Sequence, residues 1–479
     1  MHEYLTAIGL ETHAELSTDT KIFCNCKNRF GESPNTNVCP VCMGLPGALP
    51  TVNRTAVEYA VVMGHALNCK INLVSRFDRK NYLYPDLPKS YQISQSYVPI
   101  CVDGWVDFWY NGEVRRVRIE RIHIEEDAGK LIHNENSEEI TYVDLNRCGV
   151  PLIEIVTKPD IRSPGEAAAY LKTIRSILTY LDICDCKMQE GSLRSDVNVS
   201  LNLPGEPLGV RCEMKNINSF SAVTRAAEYE IDRQRQILDS GGKIQQQTRR
   251  WDDLKRCSFL MRTKENADDY RYFPEPDIPP VEISRQRSEE LKKSIGELAN
   301  VKLIRYITKY RLNEKDAQYI CSDPELASFF DRCVQSARFS PQDYSRRIMS
   351  ELAKYLNDTN KSFEDTKLDV KRFNELMEEV DKGSISNSAF KKAFIALAET
   401  DLDVKKIIND LGLLQLADEN ELERIAERVL KENPKSADDY KRGKTNALGY
   451  LMGQCMKISN GKANPVRMKE ILLSHLAKK

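Results

Sequence analysis

The spacing of apolar residues changes once along this chain, and that change limits the folds open to it. Up to about residue 285 the sequence reads as short strands with turns between them, at Gly44-Leu45-Pro46-Gly47, Tyr84-Pro85-Asp86-Leu87-Pro88, Asn111-Gly112 and Leu203-Pro204-Gly205. Helical spacing interrupts at Gly165 to Leu181, where Ala168, Leu171, Ile174, Ile177, Leu178 and Leu181 recur, and at Ala222 to Leu238. Strands with occasional helices, without regular βαβ alternation, predict an α+β sheet domain. Pro274, Pro276, Pro279 and Pro280 close this region, because proline removes backbone donors and restricts the residue before it. From about Ser288 the chain turns helical and charged, starting with Leu291, Ile295 and Leu298, and stays so. A chain of 479 residues is too long for one ordinary core. The expected domains are a sheet domain over 1–287, a helical domain over 288–408 and a small helical tail over 409–479.

Charge excludes one class of function. The 70 Lys and Arg against 71 Asp and Glu leave a net charge of -1, so bulk charge does not hold this molecule on nucleic acid and local patches must. One patch is 441–479, with nine Lys or Arg against the single acid Glu470. There Leu448, Leu451, Met452, Cys455 and Met456 form an apolar helical face, Gly461 suits a C-terminal cap and Asn464-Pro465 a new helix start. The segment is either a phosphate-contacting surface or a helical pair whose lysines only confer solubility. No stretch approaches the roughly 18 apolar residues of a membrane span, and Met1-His2-Glu3 is unlike a signal peptide. A cytoplasmic protein with no membrane association is expected, its fourteen scattered cysteines reduced.

Residues two apart share a face of a strand. In Glu3 to Leu16 one face carries Glu11, His13 and Glu15; in Arg118 to Asp127 one carries Arg121, His123 and Glu125. Glu154 interrupts the apolar run Leu152 to Val156. From Glu190 the set Glu190, Ser192, Arg194, Asp196, Asn198 alternates with apolar residues, and Arg211, Glu213, Lys215 do so in the next segment. Each of the five segments alone fits the solvated face of an antiparallel sheet. Together, short carboxylates, arginines and histidines (five of six lie in the first 133 residues) fit a concave face holding Mg²⁺ through oxygen and nitrogen, with arginines on phosphates. That combination suits phosphoryl transfer.

No G-x-x-x-x-G-K-[ST] occurs, Gly129-Lys130 being followed by Leu131, and no G-x-G-x-x-G opens a helix, so neither common phosphate cradle is present. H-E-x-x-H and G-x-S-x-G are absent too. Cys24-x-Cys26 and Cys39-x-x-Cys42, twelve residues apart, supply the four thiolates of a structural Zn²⁺, in a knuckle-like loop with Pro34, Asn35 and Pro40. Four thiolates close the coordination shell, so catalysis is expected elsewhere.

Several long motifs resemble one family, the B subunits of the aspartyl/glutamyl-tRNA(Asn/Gln) amidotransferases (GatB/GatE). They are Gly9-Leu10-Glu11-Thr12-His13; Pro34 to Cys42 with Gly44-Leu45-Pro46-Gly47; Phe77 to Tyr82 with Tyr84 to Lys89; and Glu125 to Lys130. Asn146-Arg147 with Gly149 to Leu152, Asp269 to Asp277, and Gly453-Gln454 with Gly461 to Pro465 continue the match nearly end to end. Gln189, Ser90 and Gln247 depart from the family's usual acid, glycine and glutamate, and no insert of aspartyl-tRNA synthetase type interrupts the chain.

The resemblance implies a glutamine-synthetase-like antiparallel-sheet cradle followed by all-α domains, and a ligase activity. ATP would phosphorylate the side-chain carboxylate of glutamate on misacylated Glu-tRNA(Gln), aspartate on Asp-tRNA(Asn), or both, and ammonia would displace the phosphate. The ammonia would come from a separate glutaminase (amidase) chain, and a third, small chain would complete a heterotrimer; the present sequence lacks the Ser-Ser motif of such amidases. Carried onto this sequence, Glu11, His13, Glu125, Glu154, Glu190 and Glu213 would ligate Mg²⁺, Lys80, Tyr82 and Lys89 would border the acylated tRNA end, and Arg194, Asp196 and Asn198 the phosphates. Cys24, Cys26, Cys39 and Cys42 would hold structural Zn²⁺, and the basic tail would touch the tRNA body. A non-catalytic zinc-containing tRNA-binding scaffold and a free-standing glutamine-synthetase-like ligase are the competing readings.

Overall fold

The computed structural model describes residues 3–133, 140–263, 270–415, 419–459 and 461–477. Asp269 of the 269–277 motif and the terminal Lys478 and Lys479 lie outside them. The chain divides into two compact units, Met1–Lys309 and Tyr310–Lys479, and the fold is α+β, a large sheet followed by helices.

The strands of the first unit are β1 (Leu5–Glu15), β2 (Lys70–Ile71), β3 (Val74–Ser75), β4 (Asp78–Asn81), β5 (Tyr91–Ser94), β6 (Cys101–Tyr110), β7 (Glu113–Glu126), β8 (Lys130–His133), β9 (Thr141–Asp144), β10 (Pro151–Thr157), β11 (Leu193–Asn202), β12 (Cys212–Lys215), β13 (Gln247–Asp252), β14 (Cys257–Thr263), β15 (Phe273–Pro274) and β16 (Val281–Glu282). Its helices are α1 (Arg54–Ala66), α2 (Pro164–Tyr180), α3 (Phe220–Asp239), α4 (Arg285–Lys293) and α5 (Ala299–Thr308). Nine strands form one sheet in the order β14-β13-β12-β11-β1-β10-β7-β6-β2. The five segments with alternating charge are β12, β11, β1, β10 and β7, neighbours at its centre. All these pairs are antiparallel except β12 with β13, which α3 joins by the crossover a parallel pair needs.

Alternation decides which face each residue takes. Ile8, Leu10 and Ala14 of β1 and Val197 and Val199 of β11 enter the same buried core as Leu171, Ile174 and Ile177 of α2 and Val223, Ala226 and Ala227 of α3. Each large aliphatic side chain buried there contributes about 1.5–3 kcal/mol. The charged set is thereby left on the opposite face. The starts of α2 and α3 are capped by Ser163 and Ser219, whose hydroxyls accept from Glu166 N and Ala222 N.

The proline-rich run lies inside this unit. β15 pairs with β4 and β16 with β3, and α4 and α5 follow before the units divide. Arg79 of β4 makes the tie: its guanidinium donates to both carboxylate oxygens of buried Glu275, at 2.6 and 2.9 Å, and reaches Asp277 at 3.1 Å. Two of the family-like motifs, 77–82 and 269–277, are therefore neighbouring strands of one small sheet, β15-β4-β5.

The second unit is helical. Phe329, Phe330, Phe373, Phe390 and Phe394 are fully buried within it. Near its C-terminus Leu422, Ala426 and Val429, Leu451 and Cys455, and Met468, Leu472 and Leu476 make a separate core from helices Glu419–Glu432, Asn446–Ile458 and Pro465–Ala477. Of the expected apolar face, Leu451 and Cys455 are buried, while Leu448, Met452 and Met456 pack at its edge. Gly461 takes φ +76°, donating to Met456 O at 2.8 Å, and Asn464 caps the last helix. Among the tail's basic residues Lys444 pairs with Asp439 and Arg467 with Glu419 and Glu470. No helix among the described residues is long and apolar enough to cross a membrane.

Candidate functional site

Strand register assembles the site. β1 pairs with β10 so that His13 faces Glu154, and β10 pairs with β7 so that Glu154 faces His123. Directly opposed side chains share a face at about 5 Å, so one row crosses the sheet as His123, Glu154, His13 and, on β11, Arg194. A second row sets Glu11 against Asp196, and a third sets Asn198, Glu213 and Thr248 side by side on β11, β12 and β13. Residues about 200 positions apart in sequence thus meet without any loop having to place them.

Arg194 apart, the rows floor a cavity of about 250 Å³. Two groups of possible ligands lie in it: His13 with Glu125 and Glu154, and Glu11 with Asp196 and Glu213, the donor atoms of each group within 4.8 Å of one another. In the first, His13 Nε2 is 3.3 Å from Glu154 Oε2 and 3.5 Å from Glu125 Oε1, while His123 Nε2 is 3.2 and 3.7 Å from the same two carboxylates. Burial works against a charged imidazole at His13, but Glu154 and Glu125 outweigh it and raise His13 to about 9. Burial likewise opposes ionisation of Glu154, and the two imidazoles overcome it, holding its carboxyl well below the usual range. In the second group burial, then Glu154 and Glu213, push the Glu11 carboxyl up. Asn198 donates to Glu11 at 3.0 Å and Thr248 to Glu213 at 2.8 Å.

Both groups fit divalent cations. Three convergent carboxylates are hard oxygen donors of the kind Mg²⁺ takes, and an imidazole with two carboxylates suits Mg²⁺ or a first-row ion. The neighbouring groups explain how such acids coexist: the His13 and His123 imidazoles lie against Glu154, and the Lys215 ammonium lies between Asp196 and Glu213. Arg121, Arg211, Lys215 and Arg262 line the same cavity. Ser94, Gln246 and Gln247 line it as well, and so do Lys80, Tyr270 and Tyr272, from the small sheet and the segment leading into it, with the Lys80 ammonium 4.9 Å from the Tyr270 ring centre and 5.5 Å from that of Tyr82.

Of the residues singled out from sequence, Glu11, His13, Lys80, Glu125, Glu154, Asp196, Asn198 and Glu213 line this cavity. Tyr82 stacks edge-on behind Tyr270, its ring 6.1 Å away. Arg194 donates to Asp127 at 2.6 Å outside the lining, and Lys89 pairs with Glu126 in a separate depression beside Cys24 and Cys42. Glu190 is not with the others. β11 begins at Leu193, Gly191 at φ +88° breaks the alternation, and Glu190 pairs with Lys187 in the preceding turn. His123 and Lys215 stand on the strand faces that alternation gives them and Arg211 just ahead of β12, all within the charged sets that alternation groups, but the family resemblance does not name them as site residues. Tyr270, Tyr272 and Arg262 have no periodic signal, and only the motif around the tyrosines marks that region.

The four knuckle thiols also converge, their Sγ atoms within 4.8 Å of one another. A tetrahedral Zn²⁺ with bonds of about 2.3 Å needs sulfurs about 3.8 Å apart, and Cys39 Sγ is 3.9 Å from Cys42 Sγ. A hydrogen bond from Cys24, ahead of the nearby Lys21 ammonium, lowers Cys42 to about 5, so a thiolate is available for a metal. Lys21 is fully buried, donating to Asn37 O at 2.8 Å and reaching Cys42 Sγ at 3.8 Å. The loop is stitched to 143–146: Asn35 donates to Val143 O, Asn37 N to Asn146, and Asn146 to Ser33 O. No disulfide joins the described cysteines.

Comparison with known proteins bears on both units. The model of the GatB/GatE catalytic domain matches residues 6–289, and that of the GatB domain residues 328–476. The chain is similar to proteins named as the B subunit of aspartyl/glutamyl-tRNA(Asn/Gln) amidotransferase. It is 50% identical to that of Caldanaerobacter subterraneus subsp. tengcongensis over 477 residues, 99% of this chain and all of the relative. For Caldicellulosiruptor bescii the figures are 49% over 480 residues, 99% and 100%; for Carboxydothermus hydrogenoformans, 45% over 481 residues, all of both chains.

Proposed function

The chain belongs to the GatB/GatE family, and from that premise we propose that it performs the ATP-dependent amidation step on misacylated tRNA. Its substrate is glutamate on Glu-tRNA(Gln), aspartate on Asp-tRNA(Asn), or both. It works in the cytoplasm as a ligase, in a heterotrimer with a glutaminase chain and a third, small chain. The observation that carries this reading is the meeting of two cation-ligand groups and a basic lining in one cavity.

In the reaction, an oxygen of the substrate carboxylate attacks the γ-phosphorus of ATP, the bond to ADP breaks, and ammonia then displaces phosphate from the activated carbonyl to leave the amide. His13, Glu125 and Glu154 would hold one Mg²⁺ and Glu11, Asp196 and Glu213 another. Such ions neutralise phosphate oxygens and the approaching carboxylate, which would otherwise repel. Arg211 and Arg262 face the charge that spreads over the migrating phosphoryl group. Lys80 draws the substrate carboxylate inward, and Tyr270 and Tyr272 beside it shield the activated carbonyl from water. His123 holds Glu154 and Glu125 from behind, and Asn198 and Thr248 orient Glu11 and Glu213. Tyr82 backs Tyr270, while Arg194 on Asp127 and Lys89 on Glu126 brace the rim where the acylated end enters. Glu190 has no part in this set. Zn²⁺ on the knuckle would be structural, and the basic tail would contact the tRNA body by charge.

The test is amide formation by the assembled complex on Glu-tRNA(Gln) and Asp-tRNA(Asn) with ATP, Mg²⁺ and ammonium salt in place of glutamine. Amidation that persists when the partner's glutaminase is inactivated assigns activation and transfer to this chain. Failure on both substrates with folded, metal-replete protein returns the pocket to a scaffold's surface.

A further inference from the structure

The two ligand groups balance their charge differently. In the first, the cations nearest the carboxylates are the imidazoles of His13 and His123, and an imidazole that gives up its proton becomes a metal ligand itself. In the second, the balancing cation is an ammonium. Lys215 Nζ lies 2.7 Å from Asp196 Oδ2 and 2.8 Å from Glu213 Oε1, with the lysine side chain only 31% exposed. The register Val197↔Met214 sets Asp196 beside Lys215, so the contact is built into the sheet. Two of the three carboxylates that would receive a divalent ion thus each spend an oxygen on Lys215.

An ammonium and a divalent cation cannot share those oxygens, because at such separations in a partly dry pocket their repulsion is severe. Lys215 therefore opposes a metal on Glu11, Asp196 and Glu213 for as long as it holds those two oxygens. Its four-carbon stem lets it move, and it already lines the cavity together with Arg211 and Arg262, where polyphosphate oxygens would offer it a new anion. Resting on the reading that this triad holds a divalent ion during ATP use, we infer that Lys215 is a tethered counter-ion that makes metal binding there conditional on a nucleoside triphosphate. The nucleotide draws the ammonium off the carboxylates and the metal takes its place. The first group carries no lysine ion pair among the described contacts and fills independently. Lys215 is on this account a positioning residue for the metal and a direct partner of the phosphates.

The experiment counts bound Mn²⁺ on the assembled complex by electron paramagnetic resonance, with Mn²⁺ alone and with Mn²⁺ plus β,γ-imido-ATP. Glu125→Gln and Glu213→Gln assign each ion to its group. Wild type is expected to bind the Glu125-dependent ion alone and the Glu213-dependent ion only with the nucleotide. In Lys215→Met, the Glu213-dependent ion should bind without nucleotide, at least about tenfold tighter than in wild type, while the affinity for the imido analogue falls by about tenfold. Lys215→Gln, which keeps hydrogen bonding but not the charge, should behave like Lys215→Met, and Lys215→Arg should keep the wild-type order. A merely structural lysine would give the opposite pattern, with both affinities weakened in Lys215→Met and Lys215→Gln. That pattern, or a wild-type Glu213-dependent ion equally tight with and without nucleotide, overturns the inference and leaves the metal reading standing. No Glu213-dependent ion under either condition overturns both.

Discussion

The acidic pocket and the cysteine knuckle both gather side chains of the kinds that ligate metals, but by opposite means. The pocket takes His13, Glu154, Glu125, Asp196 and Glu213 from separate strands, and the register of a nine-stranded sheet brings them together. The knuckle takes four thiols from one short stretch, Cys24 to Cys42, on a loop with almost no ladder of its own. In the pocket each acid has a substitute partner: imidazoles for Glu154 and Glu125, Lys215 for Asp196 and Glu213, Asn198 for Glu11. In the knuckle the thiols have mainly one another. A pocket of the first kind keeps its shape without metal and spends metal binding on chemistry. A loop of the second kind spends it on folding.

Breaking one side of this comparison should therefore cost activity, and breaking the other should cost stability. Glu125→Gln keeps the shape of a buried side chain and removes one charge from a ligand group, so amidation should fall about 10³-fold, equivalent to about 4 kcal/mol. Its melting temperature should stay near wild type; turnover within a few-fold of wild type would remove the group from the mechanism. Cys42→Ser should do the reverse. Zinc content, read by metal analysis, should fall from about one per chain toward zero, with a stability loss on the order of 3 kcal/mol. That is well below the roughly 10–16 kcal/mol zinc supplies to isolated fingers, because Asn35, Asn37 and Asn146 also hold the loop. Undiminished stability on zinc loss would show that those hydrogen bonds suffice.

The same contrast explains what is legible ahead of the fold. The knuckle shows as a local spacing of four cysteines. The faces of the five central strands show too, since alternation puts Glu11 with His13 and His123 with Glu125 whatever lies beside them. Adjacency does not, because nothing within β1 says that its neighbours are the distant β10 and β11. Alternation therefore groups His123 on its own strand and cannot tell that it stands directly opposite Glu154. Extending alternation through Gly191 enrols Glu190, which the positive φ of that glycine turns aside. Tyr270 and Tyr272 precede a two-residue strand held by Arg79, too short for any period to show.

The smallest effect sharpens the pocket's side of the comparison, since it asks whether its charges balance without metal. His13 is raised to about 9 because, against the cost of burial, the charges of Glu154 and Glu125 favour its imidazolium. A group whose folded value lies above its unfolded one, about 6.5, adds stability that is fully present below that value and is lost as pH climbs through the folded value. Chelator-treated protein should accordingly lose on the order of 1–2 kcal/mol between about pH 7 and 9 through this residue. In His13→Gln that fall should flatten. Saturating Mg²⁺ should flatten it in wild type as well, because a divalent ion then balances the carboxylates in place of the proton and its affinity rises as the imidazole deprotonates. Melting temperatures across this range, taken with chelator and with Mg²⁺, measure the effect directly. Parallel curves for wild type and His13→Gln would mean that the two carboxylates find their counter-charge elsewhere, and the pocket, unlike a shape that holds itself without metal, would lose its central ion pair.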